Sequence, residues 1–216
     1  MSELITPEQF ESFEGVHEWR VLGRGAFACF QTGSFTVGVE LAEAIGALAD
    51  AAGRSPDADL RPATLTVRLP IGDVPGLTEG DLELARQISA AARELDIRAD
   101  PAALQDVNLT IDALYRPRVL PFWRAVLGYD QVGDEDLVDP RRISPPVWFQ
   151  PMSGPRPQRN RIHVDVWVPQ DLAETRVASA LAAGGHLISD EYSPAWWTLA
   201  DDEGNEVDVA TWKGRD

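Results

Sequence analysis

From about residue 104 the chain runs through one order of patterns twice, and this repeat limits its fold more than any other feature. DVNLTIDAL alternates like a strand, and RPRVLPFWRAVLGY keeps helical spacing up to Gly128. Short alternating runs then follow around Gln131, Leu137 and VWFQ. RIHVDVWV, DLAETRVASALAAGG, HLISDEY, AWWTLAD and NEVDVAT restate the same order of strand, helix and three strands. Side chains repeat every two residues in a strand and every 3.6 in a helix. The spacing therefore predicts two successive βαβββ units.

Alternation also sorts polar from apolar residues. In NRIHVDVWV it sends His163, Asp165 and Trp167 to one face and Ile162, Val164, Val166 and Val168 to the other. Asp106, Asn108, Thr110 and Asp112 share a face in the first strand of the repeat; Trp148 and Gln150 do so in the fourth, and Glu206 and Asp208 in the last. Their alternates are mostly apolar, so each sheet is expected to have one greasy side and one polar side. Trp196 and Trp197 adjoin, so only one of them faces the polar side while the other packs. Aromatic walls suit an apolar or planar ligand, and they suit a core equally well.

The first hundred residues read differently. Thr6-Pro7-Glu8-Gln9 offers a helix N-cap with proline at the first helical position. Trp19 to Leu22 and Ala26 to Phe30 alternate around Gly23 and Gly25 like a hairpin. Phe35 to Ala52 has helical spacing and stops at Gly53. Leu65, Val67 and Leu69 make a strand, IGDVPG a turn, and Thr78 opens a helix to about Leu95 with Asp81 as a capping acid. IRADPAAL, with Asp100-Pro101, is the best linker. The expected architecture is α+β in two domains, residues 1–100 and 104–216.

Composition narrows the partners. With 35 acidic against 19 basic side chains the formal charge is −16. Nucleic-acid affinity comes mainly from Lys and Arg neutralising phosphates, so nucleic acid is not an expected partner. Cys29 is the single cysteine, which excludes an internal disulfide and a cysteine-rich metal site. No apolar run approaches the roughly 20 residues that span a bilayer, and the first residues lack signal-peptide character. The expectation is a cytoplasmic protein without a membrane partner.

PFWRAVLGY, NRIHVDVWV and LADDEGNEVDVATW, in that order, resemble the glyoxalase-like branch of the vicinal oxygen chelate superfamily over residues 104 to 214. The resemblance implies paired βαβββ modules whose curved sheets enclose a cavity. It places the metal positions of metal-dependent relatives at Asp106, Gln150, His163 and Asp208, where those relatives typically offer His and Glu. One imidazole and up to three oxygens would suit a divalent ion of the Mn, Fe, Co, Ni or Zn type, although a neutral Gln oxygen is a weak ligand. The expected cavity lining is Asp106, Asn108, Trp148, Gln150, His163, Asp165, Glu206 and Asp208. Two functions follow: metal-assisted lyase, isomerase or oxygenase chemistry, or metal-free capture of a small molecule with His163 and Asp208 hydrogen-bonded to each other.

Glu18-Trp19, SFTVGVELAEAIGALADAAG and RSPDADLRPATLTVRLPIGDVPGLTEGDLELARQI are similar to pterin-4a-carbinolamine dehydratase. That family uses histidines as acid and base, groups that titrate near neutral pH. Its histidine positions fall here on Arg54, Ser55 and Gly72, beside Pro56, Asp57 and Asp73. Arg54 stays protonated and cannot serve as a base, and Ser55 would need an activating partner. The resemblance thus implies the scaffold without its catalysts, leaving ligand binding or homodimerisation through the long helix as roles for this half.

Overall fold

The computed structural model of the protein describes residues 4–70, 76–155, 164–211, 213 and 214. The chain separates into two compact units, Met1–Asp106 and Val107–Asp216, each with its own apolar core. No helix among the described residues is long and apolar enough to cross a membrane.

The first unit contains β1 (Leu4–Ile5), α1 (Pro7–Ser12), β2 (Arg20–Leu22), β3 (Gly25–Gln31), α2 (Phe35–Ala52) and β4 (Asp57–Leu60). It continues with β5 (Thr64–Pro70), β6 (Leu77–Thr78), α3 (Glu79–Glu94) and β7 (Arg98–Ala99). The helices begin where their caps dictate. Gln9 N donates to Thr6 Oγ1 at 3.1 Å while Thr6 N donates back to Gln9 Oε1 at 2.7 Å, and Asp81 accepts from Thr78 N at 2.8 Å. α2 ends at Gly53 with φ 61°, a left-handed conformation that glycine adopts without steric cost.

The main sheet runs β2-β3-β5-β4, with β7 also paired to β3. β4 is a strand between Gly53 and Leu65 that the local pattern does not announce: Asp57 to Leu60 pair antiparallel with Arg68 to Leu65. The unit also extends past Asp100-Pro101, and the division falls after Asp106 rather than near residue 101. The physical reasons are that Asp100 N donates to Cys29 O at 2.8 Å and Arg24 Nε donates to Asp106 Oδ1 at 2.8 Å. Both bonds tie the linker back to β3 and its turn.

The second unit contains β8 (Leu109–Ala113), α4 (Arg116–Leu127), β9 (Asp130–Val132), β10 (Asp136–Val138) and β11 (Val147–Pro151). The second module follows as β12 (Asp165–Trp167), α5 (Ala173–Ala182), β13 (His186–Ser189), β14 (Trp196–Ala200) and β15 (Glu206–Ala210). The two sheets run β8-β11-β10-β9 and β12-β15-β14-β13. In each, the first and last strands of the module pair in parallel and the rest antiparallel. Val147, Phe149, Leu199, Val207 and Val209 from the sheets share one core with Val119, Phe122 and Val126 of α4 and Val177 and Ala180 of α5. Val164, Val166, Val168 and Trp197 pack against that same core.

A strut links the two modules. Glu203, in the β14–β15 turn, accepts from Leu114 N and Tyr115 N at 2.7 Å each, one bond to each carboxylate oxygen. It thereby satisfies donors at the start of α4, whose own N-cap, Tyr115, has no side-chain capping bond. Two residues earlier in that turn, Asp201 accepts from Trp123 Nε1 at 2.9 Å and from Asn205 Nδ2 at 2.8 Å.

Candidate functional site

The sides of the two second-unit sheets turned away from the core carry the polar and aromatic residues. Registered partners on neighbouring strands share a face, so the pairings read out directly as rows. On the second sheet Asp165 pairs with Asp208, and Asp208 with Thr198. The next row is Trp167, Ala210 and Trp196. Thr198 Oγ1 donates to Asp208 Oδ1 at 2.6 Å. Tyr192 stacks on Trp196, with ring centroids 4.4 Å apart and planes 14° from parallel. Trp167 is 57% exposed and Tyr192 53%, so this side of the sheet meets solvent as an aromatic surface with a carboxylate and hydroxyl row beside it.

On the first sheet Asp136 pairs with Trp148, and Trp148 with Thr110. Gln150 pairs with Asp112 in the following row. Trp148 is 37% exposed, and its Nε1 donates to Glu135 Oε2 at 3.2 Å. Glu135 is also ion-paired to Arg116. Hydrogen bonds from Arg116 and Trp148 hold the Glu135 carboxyl below its ordinary range. Desolvation, with the neighbouring Glu135 charge adding to it, raises that of Asp136.

The sequence-predicted residues are distributed unevenly over this surface. Trp148 and Gln150 lie on the polar side of β11; Asp165, Glu206 and Asp208 lie on the polar sides of β12 and β15. Asn108 is exposed just ahead of β8. His163 lies outside the described residues. Asp106 requires a correction: β8 starts at Leu109, and the Asp106 carboxylate is held by Arg24 within the first unit. An 82-residue separation between those partners hides the pair from any local pattern. Thr198, Tyr192, Glu135 and Asp136 were missed. Strand parity could have shown Thr198 beside Trp196, whereas Asp136 needs the hairpin register.

The described donors do not make up a metal site. Among the described residues no three His, Cys, Asp or Glu side chains come together, Asp106 is bound to Arg24, and Gln150 offers only a neutral oxygen.

In the first unit, Arg54 is committed to structure. It donates from Nη1 to Asp81 Oδ1 and from Nη2 to Thr78 Oγ1, both at 2.8 Å. A Cβ at Gly80 would collide with the guanidinium, so the glycine makes room for it. Asp57 accepts from Arg68 Nε at 2.8 Å. Ser55 is exposed, and Gly72 lies outside the described residues.

Comparison with known proteins divides the chain in the same way. Residues 3–91 match the family model described as pterin 4 alpha carbinolamine dehydratase, and residues 108–210 match a glyoxalase-like domain. A Nocardia farcinica protein named for pterin-4-alpha-carbinolamine dehydratase is 33% identical over 93 residues, 43% of this chain and 98% of that protein. A Brucella melitensis transcriptional coactivator/pterin dehydratase structure is 20% identical with TM-score 0.38, covering 42% of this chain and 99% of its own. A glyoxalase/bleomycin resistance protein/dioxygenase family enzyme from Burkholderia phytofirmans is 17% identical with TM-score 0.38, covering 50% of this chain and 98% of its own. The chain belongs to the pterin-4-alpha-carbinolamine dehydratase family through its N-terminal unit and carries a glyoxalase-like domain in its C-terminal half.

Proposed function

We propose that the glyoxalase-like domain captures a small planar or apolar molecule on the polar, tryptophan-bearing sides of its sheets. The N-terminal unit then serves as a dehydratase scaffold without the dehydratase reaction. The observation that carries the first part is the row Trp167, Ala210 and Trp196, running beside the row Asp165, Asp208 and Thr198. Exposing indole rings to water is unfavourable, and a planar ligand laid on them removes apolar area from solvent on both partners. The adjoining carboxylates and hydroxyl supply the few polar groups that orient such a ligand.

The test is a thermal-shift and ligand-observed NMR screen of planar fragments on the full chain. Binders are expected, with Trp167→Ala weakening them about tenfold, the scale of one lost aromatic contact. Affinities that neither Trp167→Ala nor Trp148→Ala changes would remove the face from consideration. Mn²⁺ and Zn²⁺ are titrated in parallel. Saturable metal binding abolished by Asp208→Asn would replace this reading with a metal-centred one.

Arg54, Ser55 and Gly72 at the histidine positions support the second part. Arg54 is spent on Asp81 and Thr78, and a protonated guanidinium has no lone pair with which to accept the substrate's proton. A stopped-flow assay with a 4a-hydroxytetrahydropterin is expected to show no acceleration over the uncatalysed dehydration. Turnover of ~1 per second or faster would show that other groups carry the chemistry.

A further inference from the structure

Within that face, the geometry points to the row Asp136, Trp148 and Thr110 as the place that selects the ligand's charge, and we propose that it takes a planar organic cation such as an amidine or a protonated amino-heterocycle. The inference rests on the reading of the domain as a small-molecule binder and adds the chemical class.

Three observations carry it. First, the indole of Trp148 is held in place: Nε1 donates to Glu135 at 3.2 Å, and Glu135 is ion-paired to Arg116 at the first residue of α4. An aromatic plate fixed in this way loses little conformational freedom when a ring stacks on it. Second, the row places Asp136 on one side of Trp148 and Thr110 on the other, on neighbouring strands about 4.7 to 4.9 Å apart. A flat molecule on the indole therefore reaches a carboxylate at one edge and a hydroxyl at the other. Third, the charges are asymmetric. Glu135 is matched by Arg116, whereas the Asp136 side chain forms no hydrogen bond or ion pair with any described residue.

Desolvation and the Glu135 charge both disfavour the ionised form of Asp136. A bound cation would offset both effects, and it would also gain from the negative face of the indole. A carboxylate ligand meets the reverse: it would face Asp136 with no described cation left unpaired in the row to receive it.

The probes are benzamidine and benzoate, which share a ring and differ in charge. Each is titrated into the full chain by saturation-transfer NMR, with folding of every variant checked by its melting temperature. Benzamidine is expected to saturate and benzoate not to. Asp136→Asn should weaken benzamidine about tenfold, the loss of one charge-assisted contact, and Trp148→Ala should weaken it further. Because Asp136 is exposed, the asparagine variant should fold even where Trp148→Ala does not. Equal binding of the two probes, benzamidine affinity unchanged by Asp136→Asn, or no benzamidine binding at millimolar concentration would each overturn the cation assignment. The broader reading fails separately, when neutral planar probes are also indifferent to Trp148→Ala and Trp167→Ala.

Discussion

Asp201→Ala is expected to destabilise the glyoxalase-like domain by about 3 kcal/mol, because one buried carboxylate satisfies several donors at once. Asp201 is 1% exposed. It accepts from Trp123 Nε1 at 2.9 Å, from Asn205 Nδ2 at 2.8 Å, and from the backbone N–H groups of Glu203 and Asn205 at 2.9 Å each. Alanine would strand the buried indole N–H of Trp123 and release the turn that carries Glu203 to the start of α4. The loss should therefore exceed that of a single hydrogen bond, and Glu203→Ala should reproduce part of it. Urea denaturation followed by Trp fluorescence measures the effect. A loss below about 1 kcal/mol, the worth of one ordinary hydrogen bond, would mean that the turn is held by other contacts.

Trp19→Ala should cost the N-terminal unit about 3 to 5 kcal/mol, the range for deleting a large aromatic from a packed core. Trp19 is fully buried among Phe10, Val16, Leu84 and Ile88. The substitution also breaks the chain in which Trp19 Nε1 donates to Ser89 at 3.0 Å and Ser89 to Glu18 at 3.2 Å. Since each unit has its own core, calorimetry should show the transition of one unit fall while that of the other stays in place. Equal shifts of every transition would show that the two cores unfold as one.

The same separation between local pattern and distant contact explains what could be read from the residues. Period-two alternation decided which side chains share a face. Val147 and Phe149 go to the core while Trp148 and Gln150 do not, and Val207 and Val209 divide from Glu206 and Asp208 in the same way. Trp197 packs on the core and leaves Trp196 on the other side. Helix starts at Thr6 and Thr78 and the stop at Gly53 were equally legible, because caps are chemistry within four residues of the end they close. β4 was hidden because Asp57 and Asp59 alternate like solvated turn residues, and only their pairing with β5 reveals a strand.

The sequence by itself determined the two-unit α+β plan, the order of elements and the side of each strand on which chemistry could sit, since all three follow from short-range periodicity and capping. Only the tertiary structure decided which polar groups meet. It drew Asp106 to Arg24 across 82 residues and away from the expected ligand set. It brought Glu203 to Leu114 across 89 residues, and hairpin register set Asp136 beside Trp148. Such contacts depend on how sheets and turns close in space, and no local rule in the chain encodes a partner that far away.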